Sequence, residues 1–457
     1  MDLIAKLKDI LGEASVLTGT DIPARNRADA AAKATVEPLA LLLPRSTADV
    51  AAALALCNGA GQAVVPQGGM TGLVDASRPG PDEIAISLEK MTGVEEVDPI
   101  SGTITARAGT PLEVIQKAAE EAGMMVGLDL GARGSCTIGG NVATNAGGNS
   151  VLRFGMTRAN VRGLEAVLAD GRVVRSHSKM IKNNTGFDWP QLLIGSEGTL
   201  GIVTSVTLAL HPRPAAISSA LVMVRDTSAA LTLLRNLGTQ LPAGLMVYEA
   251  LWKEFYDIAT GKMGLKAPFP AEDAVYLLIE APEASGDSTA LLDVLGANME
   301  TGTVADAAIA QSEAERQTFW ALRESVYSHN RIFPAGVGFD VSFALDRMGA
   351  AVELLRSRIE AQFPGAAWVV FGHLADSNIH VNVMAEPVGE ATRKRVEELV
   401  YGVVGELGGS ISAEHGIGRM KAPYLHLSRS PEELHLMAQI KNALDPKNIL
   451  SPGRVLL

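Results

Sequence analysis

The residues best suited to chemistry lie between Gly372 and Gly418. The stretch Gly372-His373-Leu374-Ala375-Asp376-Ser377-Asn378-Ile379-His380-Val381-Asn382 holds two of the chain's eight histidines, and Glu414-His415 adds a carboxylate and a third imidazole. Together they offer three candidate metal ligands and a spare imidazole close to the polar amide of Asn382. Imidazole with carboxylate suits a borderline divalent cation such as zinc, and a three-ligand set leaves a position for substrate. A histidine pair alone is more often two polar strand positions or satisfied core side chains. The loop Ser412-Ala413-Glu414-His415-Gly416-Ile417-Gly418 brings the two readings level, because its glycines let backbone approach a ligand closely.

A pair of strands must position these groups. His380 and Asn382 stand two apart and share one face of a strand, while Ile379, Val381 and Val383 share the other. Ala375-Asp376-Ser377-Asn378 is turn chemistry and predicts a hairpin that folds His373 back toward His380.

The whole chain sets the limits. Its 457 residues predict two or three domains, and 47% hydrophobic with 20% charged residues describe a soluble globular protein. A net charge of −12 with interspersed signs and no basic stripe argues against nucleic acid as a partner. Cys57 and Cys136 are too few for a disulfide scaffold and fit a reducing compartment. Met1 to Leu11 reads as an amphipathic surface helix rather than a secretory signal, and no window resembles a membrane span. A cytoplasmic location is expected.

His211-Pro212-Arg213-Pro214 is the expected domain boundary, since two prolines in four residues stiffen the chain. Before it, Thr47 opens a helix, Ala63 to Pro66 and Thr103 to Ala108 read as strands, Leu112 to Ala122 as a helix. Asp170-Gly171 makes a tight hairpin turn between Val161–Leu168 and Arg172–Val174. Beyond it, strand-like Val275 to Glu280 and Trp368 to Phe371 alternate with helical Met348 to Phe363 and Glu390 to Leu407. That is an α+β texture with an antiparallel sheet and helices on one face. The expected division is 1–213, 214–415 and 416–457, the last ending in a rigid loop over 445–454.

Two glycine-rich segments look built to hold phosphate. One is Pro66-Gln67-Gly68-Gly69-Met70-Thr71-Gly72-Leu73; the other runs from Leu128 to Gly148 and includes Gly131, Ser135, Cys136, Ile138, Gly139, Gly140, Thr144, Asn145 and Gly147. Glycines bring main-chain N–H donors close to an anion, and Ser or Thr hydroxyls add side-chain donors. Neither has the G-x-G-x-x-G spacing of a nicotinamide-binding turn or the lysine of a nucleotide-triphosphate loop. Tight turns between short strands are the plainer reading of either segment by itself.

With Ile194-Gly195-Ser196-Glu197-Gly198-Thr199-Leu200-Gly201-Ile202-Val203-Thr204, these segments resemble the FAD-binding domain of the vanillyl-alcohol-oxidase-type (PCMH-type) flavoproteins. Trp320-Ala321-Leu322-Arg323-Glu324-Ser325, the Gly372 to Asn382 stretch and Ser412 to Gly416 resemble the cap domain of the FAD-dependent D-2-hydroxyacid dehydrogenases, nearest to members acting on D-2-hydroxyglutarate. The resemblance spans residues 66 to 454. It implies a bipartite FAD domain closed by an α+β cap, with residues beyond about 416 returning to the FAD domain. FAD diphosphate would lie on Gly68, Gly69, Thr71 and Gly72; Ser135, Gly139, Thr144 and Asn145 would line its path to the ring; Ile202 would meet the adenosine end. Pro66, Gln67, Met70, Leu73, Gly131, Cys136, Ile138, Gly140, Gly147, Glu197 and Gly201 complete the implied cofactor set. Neither glycine loop contains histidine, so FAD is expected to bind non-covalently. By the same likeness His373, His380 and Glu414 would hold a divalent metal, zinc first; Arg323 would grip the substrate carboxylate; Asn382 would orient the substrate; His415 would be the general base.

The chain departs from that pattern where the hydroxyglutarate enzymes carry a threonine and a lysine for the distal carboxylate. Tyr327 and Gly338 stand there instead, so a D-lactate-like or other monocarboxylic substrate is equally admissible. Tyr327 could still donate a hydrogen bond. A flavin-free metal hydrolase and a flavin-binding protein without turnover are the other classes considered. No second cofactor motif is present, so electrons would leave to an electron-transfer flavoprotein, a quinone or oxygen, and a homodimer is admissible. His177, His211, His329 and His435 read as surface or capping residues, Cys136 as a small buried thiol, and Arg454 as either solvated or touching the flavin or a phosphate.

Overall fold

Proline decides where the long strand Ile202–Pro212 stops, since Pro212 and Pro214 cannot donate to a ladder. In the computed structural model, which describes residues 2–31, 34–283 and 289–457, the chain divides there into two units. One is Met1–Arg213 with Glu414–Leu457; the other is Pro214–Ala413. The second crossing therefore falls before Glu414 rather than after 415 as the sequence predicts, so Glu414 and His415 open the returning segment of the first unit. Local hydrogen bonds explain the position. Ala413 N–H donates to Asp340 of the second unit (3.1 Å), whereas Glu414 Oε1 accepts from Gly148 N–H of the first (2.9 Å).

The first unit has two sheets. A four-stranded one runs in the order Val16–Leu17, Ala40–Leu42, Ile84–Ser87, Val64–Gln67, the last three strands parallel. Parallel strands are covered on both faces, which is why Ala40-Leu41-Leu42 and Ile84-Ala85-Ile86 are unbroken apolar runs, all fully buried. Helix Thr47–Ala60 packs on them; its cap is Ser46, not Thr47, because Ser46 and Asp49 form a reciprocal capping box. The second sheet is antiparallel, ordered Val94–Asp98, Thr103–Arg107, Ile202–Pro212, Val161–Val167, Val173–Ser176, with Met124–Val126 also pairing Ile202–Pro212. The Asp170-Gly171 turn forms as expected, with Gly171 at φ +87°.

The second unit is one antiparallel seven-stranded sheet. Its order is Asp306–Ile309, Ala216–Val224, Val275–Glu283, Val247–Trp252, Ala367–His373, Asn378–Met384, Val337–Ser342. Helices Leu345–Gln362 and Glu390–Glu406 belong to the same unit; Phe339 meets Tyr401 of the latter edge-on, 5.3 Å between ring centroids. No helix among the described residues is long and apolar enough to cross a membrane.

Candidate active site

Register places the chemistry of the second unit on one face of its sheet. Directly opposed residues share a face, as do residues two apart along a strand. Leu251, Phe371, His380 and Asp340 are opposed in turn across four strands, and so are Val369, Asn382 and Gly338; Glu249 opposes His373 one step along. His373, Phe371, His380, Asn382, Asp340 and Glu249 therefore all project to the same side, while Ile379, Val381 and Val383 are buried on the other. The predicted hairpin is present: Leu374–Asp376 turns, Ser377 takes φ +74°, and the two imidazoles come to 5.6 Å between centroids at 79°. Gly372 permits this closeness, since a Cβ there would stand 2.6 Å from the Asn378 carbonyl oxygen.

Two acids absent from the sequence-based site support these histidines. Glu249, 1% exposed, accepts a hydrogen bond from His373 Nδ1 on Oε1 and from Arg323 Nε on Oε2 (2.6 Å). Burial alone would raise its pKa, but the adjacent imidazole and guanidinium override that and hold the carboxylate ionised well below the usual range. Asp340, fully buried, lies 3.8 Å from His380 Nδ1. Nδ1 turned toward an acid leaves Nε2 for a cation, so the donor set fits a divalent metal. Both acids interrupt apolar strands, Val247-Tyr248-Glu249-Ala250-Leu251-Trp252 and Val337-Gly338-Phe339-Asp340-Val341, and that interruption was the signal available in the sequence.

Arg323 lies in the last turn of the Glu313–Glu324 helix, which Arg316 and Trp320 fasten to the sheet by donating to buried Glu280 (2.6, 3.0 and 2.7 Å). Its guanidinium carbon lies 4.9 Å from the Phe371 ring centroid. Asn382 Oδ1 is buried without a hydrogen-bond partner among the described residues, as a group awaiting a ligand would be. Tyr327 is 66% exposed, and a Cβ at Gly338 would have nothing within 4 Å, so neither position places a cation on this face. His329 is not the surface residue expected: it is 2% exposed among Phe255, Phe333 and Phe371, and burial, with Arg323 adding to it, lowers its pKa to about 4.

In the first unit the two glycine segments come together. A Cβ on Gly68 would stand 2.6 Å from Thr137 Oγ1, and one on Gly69 would stand 2.1 Å from the Ser135 carbonyl oxygen. No main-chain N–H from Gly68 to Leu73 donates within the protein among the described residues, and Thr137 Oγ1 is a buried hydroxyl without a partner. Orphan donors lining a backbone cradle fit a diphosphate. Around them, Met70 and Asn145 adopt positive φ, Asn145 Oδ1 accepts from Arg158 N–H, and Ser135, Gly140 and Thr144 are accessible at least in part. Other residues of the cofactor set have structural duties. Gln67 is buried and bonded to Asn26, Ile138 and Ile202 sit in the core, Gly139 packs on Ala108, and Gly147 packs on Glu414. Pro66 is met by Gly198, Gly201 approaches the Val167 carbonyl, and Gly131 is exposed. Cys136 is a buried thiol whose pKa burial raises.

Glu197 holds the returning segment, its carboxylate accepting from the N–H groups of Ile417 (2.7 Å) and Gly418 (2.8 Å). Burial raises its pKa against those two donors. Arg454 is neither solvated nor free for phosphate: both its Nη atoms donate to the Glu83 carboxylate. His211 pairs with Asn160 and meets the Phe154 ring at a tilt, and His177 bonds Thr207, so these two also have partners the sequence did not reveal.

A model described as the FAD-linked oxidase C-terminal domain matches residues 213–455, and an FAD-binding domain model matches residues 38–177. The D-2-hydroxyglutarate dehydrogenase, mitochondrial, of Bos taurus is 40% identical over 419 residues, 91% of this chain and 76% of that one. The protein of the same name in Arabidopsis thaliana is 36% identical over 460 residues, 99% of this chain and 81% of that one. The chain belongs to the FAD-linked D-2-hydroxyacid dehydrogenase family. A solved 4-ethylphenol oxidase from Gulosibacter chungangensis superposes with a TM-score of 0.74 at 15% identity, covering 99% of this chain and 96% of that one, a likeness of fold. Membership in an FAD-linked family removes the flavin-free hydrolase. Both relatives bear mitochondrial names, so the expected cytoplasmic location gains no support from them.

Proposed function

We propose that this protein oxidises a D-2-hydroxyacid to the 2-oxoacid, using non-covalent FAD and a divalent cation, zinc first, on His373, His380 and Glu414. The observation that carries the reading is the Glu249 carboxylate, which grips a candidate metal ligand, His373, and a candidate carboxylate clamp, Arg323, on the sheet face that also carries His380 and Asn382. When bound, the cation held by His373, His380 and Glu414 would supply Lewis acidity toward the 2-hydroxyl, and FAD would supply a hydride acceptor. The chain's own residues do the rest. Arg323 holds the substrate carboxylate, Asn382 Oδ1 accepts from the substrate, and His415 takes the hydroxyl proton. Gly68, Gly69, Thr71 and Gly72 receive the diphosphate, with Ser135, Thr144 and Asn145 along the cofactor's path.

D-2-hydroxyglutarate is the first substrate to test, on the strength of the relatives' names. Gly338 and exposed Tyr327 favour a second reading, a monocarboxylic D-2-hydroxyacid such as D-lactate, because neither supplies a charge for a distal carboxylate. An electron-transfer flavoprotein or a quinone as acceptor, and a homodimeric assembly, rest on the sequence reading alone.

Anaerobic bleaching of the flavin by a panel of D- and L-2-hydroxyacids tests the activity. D-selective bleaching is expected, and bleaching by no member refutes it. Chelation should abolish turnover with the yellow colour kept; full activity of metal-free protein would remove the cation from the mechanism. His415→Asn should lower kcat by about 10²- to 10⁴-fold with FAD retained.

A further inference from the structure

We propose that Glu249 is a positioning residue that couples the two halves of the substrate site, presenting the His373 imidazole to the cation and the Arg323 guanidinium to the substrate carboxylate. The inference rests on the roles proposed above for those two residues.

Glu249 is buried in the strand Val247–Trp252, directly opposite His373, so its backbone position relative to that imidazole is set by the sheet. One carboxylate oxygen accepts a hydrogen bond from His373 Nδ1–H, which settles the tautomer and makes Nε2 the ligand atom. The other takes Arg323 Nε at 2.6 Å. A guanidinium bonded through Nε keeps its Nη1/Nη2 edge for a second carboxylate, and the Phe371 ring 4.9 Å from the guanidinium carbon limits rotation of the plane. The oxygens of one carboxylate are rigidly spaced, so cation and substrate carboxylate are held at one separation. That is the requirement for a 2-hydroxyacid, whose hydroxyl and carboxylate sit on adjacent carbons. A core ion pair serving stability alone would need only Arg323. The hydrogen bond from His373 is the part that such a role leaves unexplained.

The test measures cation affinity by chelator competition and KM for the best hydroxyacid, with FAD content as the folding control. Arg323→Met should raise KM at least tenfold and leave cation affinity within about twofold. Glu249→Gln should do both: weaken the cation about 10- to 100-fold and raise KM, because an amide turns an N–H toward one of the two donors. Glu249→Asp, which keeps the charge but is one methylene shorter, should restore at most one of the two. Should Glu249→Gln lose FAD, the double variant Glu249→Gln/Arg323→Met removes both buried charges and carries the same comparison. Its cation should stay weak and its KM should be no worse than that of Arg323→Met. Parental cation affinity in FAD-retaining Glu249→Gln, or in the double variant, would overturn the proposal. A parent protein that binds no divalent cation would overturn both this inference and the metal reading beneath it.

Discussion

Asp340 stands directly opposite His380 across the last two strands of the sheet, a carboxylate oxygen 3.8 Å from Nδ1. Its Oδ2 also accepts from the Ser412 hydroxyl (3.3 Å) and from Ala413 N–H (3.1 Å), so one buried acid steadies a candidate ligand and the chain that leads into Glu414. Asp340→Asn keeps the shape and removes the charge. Cation affinity should fall about tenfold or more while FAD content stays at the parental level, since the cofactor loops lie in the other unit. Metal analysis after dialysis against graded chelator decides it; an unchanged metal content would leave Asp340 a structural acid only.

The ion pair between Arg454 and Glu83 carries a larger stability prediction. Arg454 is 2% exposed and donates twice to Glu83 (2.9 and 2.8 Å) and to the carbonyls of Ala76 and Arg78 (2.8 Å each). Burial would raise the Glu83 pKa; Arg454 prevails and lowers it. Arg454→Met strands a buried carboxylate and should cost about 3–5 kcal/mol. Glu83→Gln/Arg454→Met should cost less. Because residues 76 and 78 follow the Gly68–Gly72 loop, FAD should also dissociate faster. Urea unfolding followed by flavin fluorescence measures both.

His329 gives a dependence on pH with a definite sign. Its pKa is lowered from 6.5 to about 4, so the folded protein excludes a proton that the unfolded chain binds. The stability tied to the neutral ring is complete above pH 6.5 and is lost as pH falls toward 4, by up to ~1.4 kcal/mol per unit. Replacing it by phenylalanine should flatten the melting temperature curve across that window relative to the parent. Parallel curves would show that the ring is not responsible.

Local chemistry was readable without coordinates. Asp376-Ser377 announced the hairpin, the alternation of His380 and Asn382 with Val381 and Val383 announced the face, Asp170-Gly171 announced a turn, and the prolines around Arg213 announced the division. Each depends on neighbours a few residues away, through backbone preference or the two-residue period of a strand. Glu249 and Arg323 were not readable in the same way. They lie 74 positions apart and meet because the strand Val247–Trp252 pairs with Val275–Glu283, whose Glu280 anchors the helix that carries Arg323.

By itself, then, the order of residues determined the break at the prolines, the imidazole pair and the two glycine loops, since short-range sterics and hydrogen bonding settle these wherever the chain goes. Tertiary structure alone decided which acid backs each histidine, that His329 and Arg454 are buried, and that Gln67 and Ile202 serve the core. A side chain's burial and partners depend on which strands lie beside it, and the period of its own strand carries no record of them.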